Sequence, residues 1–449
     1  MRNIYWKVLI FIAVVLSCNF SAGLAKPVEA TYRSVIDVND WGPTISKVIV
    51  DIGSEVDEGA VDKETFKVYV KRSVPHKESA GTSMDLSQNS STITEEPKIL
   101  GDREGYREIK NVYVSDKNGQ SAKKGHYIAI EMQVGPKITL GLPLNFDLKA
   151  KQNKWIDCTY TITQQKPIKS AHRNVEGLIV TKFAGSIKSS IDAFTFDKVT
   201  YNDITLSYGS FEPKDKEKHP LIIWLHGMGE GGTDASIAVA GNKAVNFADP
   251  KIQAYFGGAY VLVPQAKTFW MDGFHEFGDG TSKYEDSLMA LIRNYVSLHK
   301  EIDSNRIYLG GDSNGGYMTM LLIRDYPKEF AAAFPTCEAL KDSLITDEDI
   351  EKMKTVPIWF TAAKTDEVVP PIEYVIPTYQ RLVSAGANVQ FSFFDNVSDR
   401  TGLYKKADGT PFEYNGHWSW IYVYNNDCIV KVNDKQISLM EWLAKQQRF

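Results

Sequence analysis

Arg306-Ile307-Tyr308-Leu309-Gly310-Gly311-Asp312-Ser313-Asn314-Gly315-Gly316-Tyr317-Met318 begins as a short apolar strand, breaks at glycines around one serine, and runs on into an apolar, helix-like segment. Its centre, Gly311–Gly315, has the form G-x-S-x-G. A serine at the tip of a strained strand-to-helix turn holds its hydroxyl above the sheet, and small flanking residues relieve the crowding there. The helix that follows points its positive end at the same spot. The competing reading is a glycine-rich turn with an ordinary serine, so the surroundings have to decide. Short apolar runs recur at Leu221–Leu225, Ala259–Val263, Ile307–Leu309 and Pro357–Ala363, with lengths and flanks that suit buried parallel strands. Between them, Tyr284–His299, Tyr317–Ile323, Tyr374–Ser384 and Ile437–Gln447 carry helical spacing. Strand alternating with helix predicts a doubly wound α/β domain over residues 170–449.

The half before it reads differently. Ser46–Ile52 and Thr65–Val70 alternate apolar and polar residues, and Glu108–Val114, Tyr127–Val134 and Trp155–Ile162 are further strand candidates. Polar stretches such as Lys77–Pro97 separate them. Short alternating strands without helical period predict a small all-β sandwich over residues 28–165. No 40-residue repeat is present, which argues against a propeller.

Composition agrees with two folded domains. The chain has 449 residues, 43% hydrophobic and 24% charged, and its net charge of −5 lacks the basic excess of a nucleic-acid binder. Arg2, Lys7 and the apolar run Val8–Leu16, with Gly23 and Ala25 before Lys26, predict a signal peptide over residues 1–25 and export of the mature chain. Cys18, after Val15-Leu16-Ser17, leaves lipid anchoring as the alternative. No later stretch is long and apolar enough to span a membrane. If Cys18 leaves with the leader, Cys158, Cys337 and Cys428 remain, and neither a disulfide scaffold nor a zinc site follows from them.

A serine hydroxyl needs a base. Of 8 histidines, only His417 lies downstream of Ser313, in Asn415-Gly416-His417-Trp418-Ser419-Trp420. In open α/β sheets with such a turn the chain order is serine, acid, histidine. The acid should therefore fall between them. Asp366, directly after the strand Val356–Ala363, is the leading candidate, with Glu367, Asp395 and Asp399 as rivals. Backbone donors for an oxyanion are expected from Asn314, after the serine, and from Met228 or Gly227 in Leu225-His226-Gly227-Met228-Gly229-Glu230-Gly231-Gly232. His226 reads as structural. Trp270, Trp418 and Trp420 are candidates to wall a substrate cleft, with core packing as their alternative.

Leu221–Gly232, Gly310–Met318, Ala363–Pro370 and Gly416–Trp420 together resemble the secreted α/β-hydrolase carboxylesterases related to polyhydroxybutyrate depolymerases and feruloyl esterases. Val38-Asn39-Asp40-Trp41-Gly42-Pro43 and the strands after it resemble the immunoglobulin-like domain of a thermostable-esterase branch. The resemblance implies a serine esterase that acts on short-chain acyl esters, aromatic or carbohydrate-linked ones included, with no metal or organic cofactor. It also implies that Cys337, in Ala331–Cys337, is a buried thiol near the pocket. Val397–Tyr414 departs from the family as a polar insertion, and Trp418 stands where smaller or acidic residues are frequent. Two rivals share the fold: a serine peptidase of the prolyl-oligopeptidase type, and a non-catalytic binding protein on a hydrolase scaffold.

Overall fold

The computed structural model describes residues 29–75, 98–170, 174–273, 278–432 and 434–448. The leader expected over residues 1–25, Cys18 within it, and Lys77–Pro97 lie outside these residues.

Alternation builds the N-terminal half. In Phe66–Ser73, Phe66, Val68 and Val70 are buried while the residues between them face outward, so the strand has one core face. It pairs antiparallel with Asp157–Gln164, Val68 opposite Ile162. With Glu104–Arg107 and Ile179–Val180 these strands form a four-stranded sheet. Facing it is a five-stranded sheet in the order Lys182–Ile187, Thr31–Asn39, Gly42–Asp57, Lys124–Met132, Ile109–Ser115. One core of Val, Ile, Tyr and Phe side chains lies between them, which makes an immunoglobulin-like sandwich. Sequence ended this unit at residue 165. The structure carries it further, because Ile179–Val180 and Lys182–Ile187 pair with sandwich strands. Those strands are short or exposed and show no alternation that would mark them.

The second half is an eight-stranded sheet in the order Thr195–Tyr201, Ile204–Phe211, Tyr260–Gln265, His219–Leu225, Ile302–Asp312, Ala332–Thr336, Ile358–Ala363, Val389–Phe394. The continuous apolar runs are explained by burial on both faces: Leu221, Ile223 and Leu225 enter one core, Ile222 and Trp224 the other. The first two strands form an antiparallel hairpin that the sequence reading missed. Its turn, Asn202-Asp203, has φ of 48° and 64°, the left-handed pair a two-residue hairpin needs. At the chain's end the expected helix Ile437–Gln447 is shorter. Lys435–Ser438 is a strand paired with Ile429–Val432, and the helix is Leu439–Leu443. His219–Leu225 lies between Tyr260–Gln265 and Ile302–Asp312 and parallel to both, so the chain order reverses there. Ligand crevices of open α/β sheets form at the carboxyl ends of such strands.

The halves are joined by polar contacts. Lys243 Nζ lies 2.7 Å from Asp40 Oδ1, which also accepts from Asn425 Nδ2 at 3.1 Å. Trp155 Nε1 donates to Ser236 Oγ at 2.9 Å, and Gln152 Nε2 to the Lys267 carbonyl at 2.9 Å. The insertion Val397–Tyr414 braces the same junction. Its Tyr404 ring meets Trp41 edge-on at 4.8 Å, and the Lys137 ammonium sits over Phe412.

Asp40 and Lys243 are both largely withdrawn from solvent. Asp40→Ala, which leaves the ammonium without a carboxylate and with only Asn425 Oδ1 at 3.0 Å, is expected to cost ~3 kcal/mol in guanidinium unfolding. Asp40→Ala/Lys243→Met should recover most of that loss. A single variant as stable as the parent would show the junction does not depend on the pair.

Candidate active site

Ser313 follows the strand Ile302–Asp312 and precedes the helix Asn314–Asp325 with φ 54° and ψ −112°. This is a strained conformation for a residue with a side chain. It is fixed from both sides. Ser313 N–H donates to the Thr336 carbonyl of the next strand, and the Ser313 carbonyl accepts from Tyr317 N–H, both at 2.9 Å. Gly315 is obligatory for packing: a Cβ there would run into the Leu225 carbonyl, so only glycine lets the helix press against the strand carrying the next loop.

His417 sits in the short turn Gly416–Trp418, whose start is held by Asn415 Oδ1 accepting from His417 N–H at 2.9 Å. Gly416 packs against the Thr365 carbonyl where a Cβ has no room, and that contact brings the histidine turn onto the loop bearing Asp366. Asp366 Oδ1 accepts from the N–H groups of Val368 and Val369 at 2.9 Å each. Its Oδ2 lies 2.8 Å from His417 Nδ1, and His417 Nε2 lies 2.8 Å from Ser313 Oγ. A carboxylate can only accept, so Nδ1 carries the proton and Nε2 is left with its lone pair toward the serine. The rival acids are elsewhere: Glu367 is exposed, Asp395 pairs with Lys364 at 2.5 Å, and Asp399 accepts from Thr401 Oγ1 and Tyr404 N–H.

One cavity of ≈ 540 Å³ opens on Ser313, Asn314 and His417 and is bordered by Gly227 and Met228. Asn314 is the first residue of its helix, so its N–H has no intrahelical acceptor. Trp418 and Trp420, stacked with centroids 6.1 Å apart, line the cavity. Trp270 does not. It is fully buried, its N–H donating to Asn314 Oδ1 at 2.6 Å and its indole N–H to the His226 carbonyl at 3.2 Å. The expected cleft wall is instead a clamp between the two segments that border the serine. No residue of Val397–Tyr414 lines the cavity among the described residues. His226 is structural as expected: Nδ1–H donates to the Gly227 carbonyl at 2.6 Å, Nε2 accepts from Ala266 N–H at 3.1 Å, and burial pushes it down to about 4.

Sequence reasoning passed over a pair of acids inside its own motifs. Asp312 and Glu230 are both buried, and Asn242 Nδ2 bridges them, 2.9 Å from Asp312 Oδ2 and 3.1 Å from Glu230 Oε2. The sandwich supplies the next donor, Asn153 Nδ2, 2.8 Å from Glu230 Oε1. Burial pushes Glu230 up to about 7, and burial together with the charge of Glu230 holds Asp312 well above the usual carboxylate range. Two close carboxyls with only amide donors retain a proton between them. Acids placed beside both glycine-rich turns were the available signal. Cys337, Asp366 and His417 bring potential metal-ligand atoms within 4.8 Å of one another. The Asp366 and His417 atoms already bond each other, and burial pushes the Cys337 thiol well up.

Residues 31–177 match the family described as the esterase Ig-like N-terminal domain, and residues 207–402 match the phospholipase/carboxylesterase family. A solved thermostable esterase aligns over 93% of this chain and 100% of its own, with 25% identity and a TM-score of 0.73. The chain is a carboxylesterase of the α/β-hydrolase type. A probable carboxylesterase from Arabidopsis thaliana is 24% identical to it over 202 residues, 41% of the esterase and 74% of the relative. Among the described residues of the esterase, no helix is long and apolar enough to cross a membrane.

Glu230 gives the esterase a pH-dependent stability. Its folded value of about 7 exceeds the ordinary 4.5, so above pH 4.5 the unfolded chain releases a proton that the native state keeps. The stabilising contribution is whole below about pH 4.5 and lost by about pH 7, a change of ~3 kcal/mol. Glu230→Gln should make that limb shallower by the Glu230 share and leave the share due to Asp312. Parallel curves for parent and variant between pH 5 and 8 would refute the assignment.

Proposed function

We propose that this esterase works through an acyl-enzyme with Ser313 as nucleophile, His417 as general base and acid, and Asp366 as the group that orients it. The observation supporting this reading is the unbroken line Asp366–His417–Ser313, with both hydrogen bonds at 2.8 Å. As Ser313 Oγ attacks the ester carbonyl, its proton passes to His417 Nε2, and Asp366 stabilises the imidazolium without accepting the proton. The carbonyl oxygen gains negative charge near the N–H groups of Asn314 and Met228, which are backbone donors that need no reorganisation. His417 then protonates the leaving alcohol. Water then attacks the acyl carbon, giving its proton to Nε2, and the imidazolium returns that proton to Ser313 Oγ as the carbon–oxygen bond breaks and the acid leaves.

The substrates proposed are short-chain acyl esters, including ones with aromatic or carbohydrate-linked alcohols. The stacked Trp418 and Trp420 beside His417 favour a flat apolar group. Export is part of the proposal and rests on Arg2, Lys7 and the apolar Val8–Leu16.

With p-nitrophenyl acetate, Ser313→Ala and His417→Ala should each lower kcat by at least ~10⁴-fold, and Asp366→Asn by ~10³–10⁴-fold, at unaltered far-UV dichroism. Turnover that survives Ser313→Ala would sink the mechanism. Faster cleavage of a proline-containing peptide amide than of the ester would favour the peptidase instead. For export, mass spectrometry of the mature chain should find an N-terminus at Lys26. A diacylglyceryl adduct on Cys18 would replace free secretion with anchoring.

A further inference from the structure

The cavity above Ser313 is not a property of the catalytic domain alone. The N-terminal domain lines it with Trp41, Leu100 and Leu142 from its loops and with Leu144 and Phe146 from a separate hairpin strand, Leu144–Asp147, apolar side chains that the fold leaves partly exposed. We infer that this face of the Ig-like domain is a substrate subsite, taking a bulky apolar half of the ester and selecting such substrates over small ones. The inference rests on the acyl-enzyme reading above and not on the short-chain substrate proposal, which an acyl chain seated on this face would replace; it goes beyond that reading by naming what the N-terminal domain recognises.

Three observations support it. First, the cavity is continuous: the sandwich residues border the same space as Ser313 and His417. At ≈ 540 Å³ it is far larger than an acetyl ester requires, and it has the mainly apolar lining of small-molecule sites. Second, the wall is built rather than incidental. The buried Arg72 guanidinium donates to the carbonyls of Leu100 at 2.9 Å, Asp102 at 2.8 Å and Leu142 at 3.1 Å. Asn145 accepts from Leu100 N–H at 2.7 Å and donates to the Lys98 carbonyl at 3.1 Å. These bonds tie two wall segments together at fixed spacing. Third, the wall is registered to the reacting centre. Asn153 donates to Glu230, and Phe146 stands beside Gly229, both in the loop bordering Ser313. A preorganised apolar surface of this kind gains affinity from an aliphatic or aromatic group without ordering a loop.

The acyl and the alcohol half of an ester share this chemistry, and two series separate them: p-nitrophenyl acetate against p-nitrophenyl octanoate, and methyl acetate against 1-naphthyl acetate. For Phe146→Ala, the ratio of kcat/KM for the large ester to that for the small one should fall ~10-fold or more in one series, as expected when apolar contact is lost. Phe146→Leu, which keeps an apolar group there, should restore most of it, so a general folding defect is distinguished from a lost subsite. A fall in the first series seats the acyl chain on the sandwich, and a fall in the second seats the alcohol. Ratios within twofold of the parent in both series would overturn the inference. Ser313→Ala in parallel keeps the two proposals separate: activity that survives it defeats the acyl-enzyme reading, whereas abolished activity with unmoved Phe146 ratios defeats only the subsite.

Discussion

The close approach of the helix Asn314–Asp325 to the end of the strand His219–Leu225 is the constraint on which the site depends. Gly315 meets the Leu225 carbonyl with no space for a side chain. Two residues before that contact, Ser313 takes a positive-φ conformation, φ 54° and ψ −112°. The contact also sets the first N–H of the helix beside the loop that begins at His226. Trp270 keeps the two together by bonding to Asn314 and to the His226 carbonyl. Backbone strain at one residue is thus held by burial of its neighbours.

A second close contact completes the arrangement. Gly416 against Thr365 brings the His417 turn to Asp366, whose other oxygen is already anchored by two backbone N–H groups. Beneath the opposite side of the serine, Asp312 and Glu230 share the amide of Asn242, and Glu230 is held again by Asn153 of the sandwich. The acid pair links the backbone before Ser313 to the glycine-rich loop and to the other domain. The insertion Val397–Tyr414 acts in the same sense: it holds the N-terminal domain by setting Tyr404 against Trp41 and Phe412 beneath Lys137, and leaves the cavity to other described residues.

Much of this was legible in the chain. Continuous apolar runs marked the parallel strands because both faces of the sheet are covered, and alternation marked Phe66–Ser73 because only one face of the sandwich is. Ser313 and His417 could be picked out because chain order left few alternatives, whereas Asp366 only led a field of four acids. The edge strands Thr195–Tyr201, Ile179–Val180 and Lys182–Ile187 could not be picked out, since they are short or largely exposed, and Ile204–Phe211 buries only Leu206, Gly209 and Ser210. Trp270 was misjudged for a related reason: an aromatic residue near a motif reads alike whether it faces a cleft or a core.

By itself, then, the sequence determined the order of elements, the glycines at the two tight contacts and the residue types able to act on an ester. Periodicity and chain order are local or one-dimensional properties, and that is why they could be read. Tertiary structure alone decided that Asp366 rather than Asp395 or Asp399 meets His417, that Trp270 is a clamp, and that the sandwich walls the cavity. Each of these depends on which distant segments come within a few ångströms of one another. Packing across two domains sets those distances, and no local pattern encodes them.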